Sequence, residues 1–142
     1  MATAGFGARG KIDPPNARPS NLSTGAAGEH LVRAVLENVS VATASTPDGL
    51  GYDIAAYADR WFRVQVKATT VKSKDGRYQF ATRRNNDIPL TIKDCDIVAF
   101  VAMPLRLVLF RNVSVVRGKT FKLPPSKFTP EAERTSWEQA IK

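Results

Sequence analysis

Residues 51–69 read as a β-hairpin whose register is dictated by where its apolar side chains fall, and that register limits which folds the rest of the chain can join. Gly51-Tyr52-Asp53-Ile54-Ala55-Ala56-Tyr57 and Trp61-Phe62-Arg63-Val64-Gln65-Val66-Lys67-Ala68-Thr69 both alternate apolar with polar or small residues, the period of a sheet with one buried face. Directly opposed residues of an antiparallel pair point to the same face. A three-residue loop, Ala58-Asp59-Arg60, sets Tyr57 against Trp61, Ala56 against Phe62, Ile54 against Val64 and Tyr52 against Val66, which makes one apolar face. A two-residue loop would instead oppose Ile54 to Gln65 and Asp53 to Val66, and a buried face does not tolerate that mixing. The chosen register places Asp53 opposite Gln65, with Lys67 one pleat further along the same polar face.

The flanking chain supplies a helix before this hairpin and more strands after it. Ser23 or Thr24 is predicted to cap a helix running from Gly25 to Asn38, with Ala27, Leu31, Ala34 and Val35 at helical spacing. Gly25 and Gly28 weaken a helix interior, a cost that close packing of the first turn on another backbone would explain. Glu29 falls on the Val32, Arg33 and Leu36 side, where the plain reading is an exposed i,i+4 pair with Arg33. Val39 to Ala44 is predicted as a strand and Thr46-Pro47-Asp48-Gly49 as a turn. After the hairpin, the basic link Lys72-Ser73-Lys74-Asp75-Gly76-Arg77 carries a turn signal, Tyr78 to Thr82 returns as a strand, and Arg83-Arg84-Asn85-Asn86 forms a polar, basic loop. Asp96–Ala102 and Leu105–Phe110, parted at Met103-Pro104, read as buried strands. Residues 111–128 resist assignment, and Thr129-Pro130-Glu131 opens a final helix whose apolar side is Trp137, Ala140 and Ile141.

Of 142 residues, 21–142 are expected to form one domain, behind a flexible basic arm over 1–20 whose composition equally suits a transit peptide or plain disorder. Lys and Arg outnumber Asp and Glu by 21 to 13, a net charge of +8 that favours a polyanionic partner. Cys95, the single cysteine, has no partner for a disulfide and reads as a buried structural thiol. The chain shows neither a membrane-length apolar stretch nor the apolar core of a secretory signal, so the expected location is cytoplasmic, with no membrane partner.

A helix acid followed by a hairpin bearing Asp53, Gln65 and Lys67 resembles the PD-(D/E)xK nuclease superfamily, the restriction-endonuclease-like fold. Gly25-Ala26-Ala27-Gly28-Glu29-His30-Leu31-Val32, Tyr52-Asp53-Ile54 and Val64-Gln65-Val66-Lys67 are similar to the branch of group I intron-associated endonucleases whose last motif is QxK, a likeness covering residues 24–70. It implies an α/β fold with a central mixed sheet, an antiparallel hairpin meander and flanking helices. It also implies an Mg²⁺- or Mn²⁺-dependent DNA endonuclease, homing- or resolvase-like, acting on double-stranded DNA as a homodimer or higher homo-oligomer. The implied catalytic residues are Glu29, Asp53, Gln65 and Lys67. Asp53, the Gln65 amide oxygen and the Val66 carbonyl would be metal ligands, and Glu29 would act through a water. Gln65 replaces the usual acid and removes one negative charge, so the alternative is an inactive nucleic-acid-binding module on the same fold. Lys72, Lys74, Arg83 and Arg84 are the expected phosphate contacts. Pro47-Asp48 is read as a decoy in a turn, His30 as solvated, and Tyr57 with Trp61 as a cross-strand pair rather than a base-stacking platform.

Overall fold

The computed structural model describes residues 21–47, 50–84 and 87–142. The predicted arm over 1–20, the decoy Asp48 and the loop residues Asn85 and Asn86 lie outside the described residues. The elements in order are α1 (Asn21–Asn38), β1 (Ala42–Ser45), β2 (Ile54–Tyr57), β3 (Trp61–Thr69), β4 (Tyr78–Ala81), β5 (Ile97–Ala102), β6 (Leu107–Asn112), β7 (Thr120–Leu123) and α2 (Pro130–Ala140). Five strands form a mixed sheet in the order β1-β2-β3-β5-β6, in which only β3 and β5 run parallel. The remaining pair, β4 and β7, makes a separate antiparallel ribbon. This is the expected α/β architecture, with one helix before and one after the strands among the described residues.

The hairpin has the predicted register: Tyr57 opposes Trp61, Ala56 opposes Phe62 and Ile54 opposes Val64. Asp59 makes the turn at φ 67°, a left-handed conformation that Asp tolerates better than most side chains. The exposed rings of Tyr57 and Trp61 meet edge to face at 5.2 Å, as a cross-strand pair does. The ladder ends at Ile54, however, so neither the expected opposition of Asp53 to Gln65 nor that of Tyr52 to Val66 is formed. Tyr52 instead packs with the residues beneath the ribbon, on the other side of the sheet from Ile54.

The sheet has two covered faces. On one, Val32 and Leu36 of α1 and Trp137 and Ala140 of α2 close over Ile54, Phe62, Val64, Val66, Ala99, Val101 and Phe110. On the other, Tyr78, Phe80 and Leu123 of the ribbon close over Val98, Phe100, Ala102 and Leu109, with Phe100 lying between Phe80 and Phe121 at 4.9 Å from each. The β5 strand is therefore buried on both sides, which explains its unbroken apolar run.

Several boundaries differ from the sequence reading. The helix is already formed at Asn21, so neither Ser23 nor Thr24 caps it. Its buried stripe is Gly28, Val32 and Leu36, whereas Ala27 and Ala34 are exposed. A Cβ on Gly28 would fall 2.8 Å from the Ala68 Cβ, so this glycine lets α1 lie against β3; Gly25 faces open space. The predicted strand over 39–44 begins only at Ala42, because Val39 and Ser40 belong to the helix exit. There Val41 N–H donates to Leu36 O at 3.0 Å and Ser40 N–H to Glu37 O at 3.1 Å, a Schellman cap with Ser40 at φ 66°. Arg33 is drawn to β1, donating to Thr43 Oγ1 at 2.9 Å and Ser45 Oγ at 3.0 Å, and its ion pair is with Glu37 at 3.5 Å. The final helix starts as predicted, with the Thr129 hydroxyl accepting from Ala132 N–H at 3.0 Å. Two of its side chains satisfy the outer edge of β6: Val108 N–H donates to Glu133 Oε2 at 2.9 Å and Phe110 N–H to Ser136 Oγ at 3.0 Å.

Candidate active site at the edge of β3

Alternation along β3 sends Phe62, Val64 and Val66 into the helix-covered core and leaves Arg63, Gln65 and Lys67 half-buried on the opposite side. Parallel pairing sets Gln65 beside Val98 and Lys67 beside Phe100, both of which lie beneath the ribbon. The ribbon's apolar cover thus reaches β5 and gives way to a polar strip on β3.

Asp53 enters this strip by an edge contact. Its backbone N–H donates to Val64 O at 2.9 Å, and its carboxylate Oδ2 then accepts from Val66 N–H at 2.8 Å. The side chain takes the ladder position that the backbone of residue 52 would have filled. That substitution is the physical reason the register stops at Ile54 and Tyr52 is freed to turn toward the ribbon. The departing segment is held by Thr46, whose hydroxyl donates to Tyr52 O at 2.7 Å and whose N–H donates to Asp53 O at 3.2 Å. It also passes tightly over Asp94: a Cβ on Gly51 would lie 2.9 Å from the Asp94 carbonyl oxygen. Since Val64 O faces β2, the two-residue period of a strand turns the Val66 N–H and C=O to the same side, beside the Asp53 carboxylate.

Lys67 lies within the field of Asp53. Burial lowers its proton affinity, the Asp53 charge opposes that effect, and nearby Arg83 adds to it. Its ammonium donates to the Arg83 carbonyl at 3.4 Å, which ties the strip to the end of β4. Gln65 stands between Arg63 and Lys67 on this side of the strand. Glu29 is half-buried on α1 and follows Gly28, which packs over Val66 and Ala68 of β3 and Val101 of β5. His30 is exposed.

The expected phosphate contacts fall into two groups. Arg83 sits beside Lys67, and both arginines carry ion pairs, Arg83 with Asp87 at 3.3 Å and Arg84 with the buried Asp94 at 3.2 Å. Lys72 lies over the Tyr78 ring at 5.4 Å, and Lys74 is exposed in the turn before β4. Sequence reasoning missed Asp94 and Asp96, which anchor the segments flanking the strip: Asp94 holds Arg84 and lies under Gly51, and Asp96 holds Arg63. Asp94 Oδ2 accepts from Thr91 N–H at 2.9 Å. Asp96 Oδ2 accepts from Arg63 N–H at 2.8 Å and Oδ1 pairs with the guanidinium at 3.1 Å. Their only sequence signal is their position on either side of Cys95, at the mouth of the apolar β5 run. Cys95 itself is buried, and burial followed by the Asp94 charge pushes its thiol up to about 12, so it is inert, as a structural thiol should be.

No family model matches the chain, and no curated protein does. Among solved structures it is similar to a bacterial homing endonuclease, I-Ssp6803I, with a TM-score of 0.71 over 87% of this chain and 98% of that one, at 19% sequence identity. The two share a fold. No helix among the described residues is long and apolar enough to cross a membrane.

Proposed function

We propose that this chain is an Mg²⁺-dependent endonuclease, Mn²⁺ being the alternative ion, that hydrolyses phosphodiester bonds in double-stranded DNA. One observation carries the reading: the Asp53 carboxylate is pinned by Val66 N–H at 2.8 Å beside a lysine of lowered proton affinity, on a fold shared with a homing endonuclease. The donor chemistry fits a hard divalent cation, because Asp53, the Gln65 amide and the Val66 carbonyl all offer oxygen. The two neutral oxygens would supplement the single Asp53 carboxylate, with water and phosphate oxygens completing the shell of such an ion. When bound, the ion offsets charge on the phosphate and lowers the pKa of a coordinated water.

The remaining work falls to the chain's own residues. The Val66 amide fixes the Asp53 carboxylate in orientation, and the Asp53 segment is fixed in turn by Thr46 and Gly51. Lys67, half-buried and easier to deprotonate than an ordinary lysine, orients the attacking water and stabilises charge developing on the phosphoryl oxygens. Glu29 approaches from the helix side and acts through water. Cutting both strands of a duplex calls for two such sites, hence a homodimer or a larger symmetric assembly.

Plasmid DNA incubated with the protein and Mg²⁺ tests this directly, beside Asp53→Ala and Lys67→Ala variants. Nicked and linear products from the parent and none from the variants are expected. Cleavage that survives both substitutions overturns the site; duplex binding without cleavage selects the alternative of an inactive binding module.

A further inference from the structure

The net charge of the chain is concentrated on one element. Residues 71–87 and 117–127, which contain β4, β7 and the segments bordering them, hold nine of the 21 Lys and Arg but only two of the 13 Asp and Glu, so the rest is close to neutral. Those two acids, Asp75 and Asp87, are already matched, the first to Arg77 at 2.7 Å and the second to Arg83 and Lys119 at 3.3 and 2.9 Å. The ribbon's inner face is closed by Tyr78, Phe80 and Leu123. Its outer face is open: Gln79 is paired with Lys122 and Ala81 with Thr120, and all four are exposed.

A two-stranded antiparallel ribbon is one of the two secondary structures that the major groove of B-form DNA admits, and the deep, narrow major groove of A-form RNA admits neither. Four residues per strand span about 13 Å, the length of a few base-pair steps. On the outer face, Gln79 offers the donor and acceptor that match the adenine edge, and Lys122 is a donor for the guanine edge. Ala81 and Thr120 are small enough not to hold the backbone away from the bases. At the end of β4 the Arg83 carbonyl touches Lys67, so DNA bases against the ribbon put a phosphate run toward the site on β3.

We propose that the β4–β7 ribbon enters the major groove of duplex DNA, with Gln79 and Lys122 reading base edges and Lys74 holding a flanking phosphate. This rests on the proposed function only in taking duplex DNA as the partner, and it is independent of hydrolysis. The test uses the full chain in EDTA, which prevents cutting, and selects duplexes from a random-sequence pool. Gln79→Ala and Lys122→Ala are compared with the parent, with Lys74→Ala and with Lys142→Ala, a basic residue outside the ribbon; thermal melts verify folding. The parent should recover a sequence preference. Gln79→Ala and Lys122→Ala should each lose about fivefold or more of the discrimination at one or two neighbouring base pairs. Lys74→Ala should weaken all duplexes alike and lower the salt slope by about one, and Lys142→Ala should change neither. Unchanged discrimination in both strand variants, no preference in the parent, or capture of folded RNA over duplex overturns the proposal. Plasmid cleavage with unchanged selection defeats the ribbon assignment alone, whereas ribbon-dependent selection without cleavage upholds it and defeats only the hydrolytic reading.

Discussion

Arg63 and Lys67 stand on the same side of β3, and the chain treats them in opposite ways. Arg63 is fully engaged: its guanidinium and backbone bind Asp96, and it also donates to the Ile92 and Lys93 carbonyls at 2.7 and 3.2 Å. The Asp96 hydrogen bond raises its affinity for the proton above that of an ordinary arginine. Lys67 has burial working against its charge and one long bond to a carbonyl. A cation satisfied on every side locks two strands together, while one held away from its preferred solvation has free energy to gain from a substrate. Position on a strand's polar face therefore does not reveal which role a residue has; the partners do.

The comparison makes graded predictions. The largest effect should come from Lys67→Ala, with plasmid cleavage falling by about three orders of magnitude while the urea midpoint barely moves. A variant that instead unfolds would put Lys67 in the structural class with Arg63. Arg63→Ala should do the reverse, destabilising the fold by about 2 kcal/mol because Asp96 loses its countercharge in a partly buried site. Its residual cleavage, measured well below the melting temperature, should stay within about tenfold of the parent, since RT is about 0.59 kcal/mol and the folded form still dominates. Lys67→Met should raise stability by about 1 kcal/mol at neutral pH, and a loss on that scale would show that the ammonium is well accommodated.

The smallest effect concerns titration. With its folded-state pKa lowered, Lys67 should lose its proton below the ordinary value of 10.5. Between the two values the unfolded chain binds more protons, so stability should rise with pH across that window and level off beyond it. Asp53 is the charge that opposes the lowering, so Asp53→Asn should move the transition lower still. Nitrogen-detected NMR of the Lys67 side chain would follow both, and a titration at or above 10.5 contradicts the account.

How far the sequence reached is best judged from individual residues. The hairpin register was legible because burial of one face leaves a single pairing that does not mix apolar and polar residues. Tyr52 was misplaced because a side chain, not the backbone, completes the ladder at Val66, and residue parity carries no information about that exchange. On α1 the expected Leu31 and Val35 do pack against the core, but the deepest line is Gly28, Val32 and Leu36, and Ala27 and Ala34 are exposed. Gly28 has no side chain to score as apolar, yet its bareness is what sets the helix against Ala68. The β7 strand went unrecognised since its buried half amounts to Phe121 and Leu123, and its partner β4 lies some forty residues earlier. Extending the hairpin register brings Asp53 toward Lys67, although its carboxylate arrives by the Val66 contact and not by the ladder, whereas the roles of Asp94 and Asp96 depend on contacts distant in sequence that no local pattern encodes.

The hydrogen bonds that the outer edge of β6 donates to Glu133 and Ser136 bear on how copies of the chain can meet. With the amides of Val108 and Phe110 occupied from within, no strand of another molecule can zip onto that margin without first prising α2 away. Growth of the sheet is thereby stopped on one side, as a terminator stops a polymer. The far margin of the same sheet is the short, mostly exposed β1, where Arg33 already guards the Thr43 carbonyl.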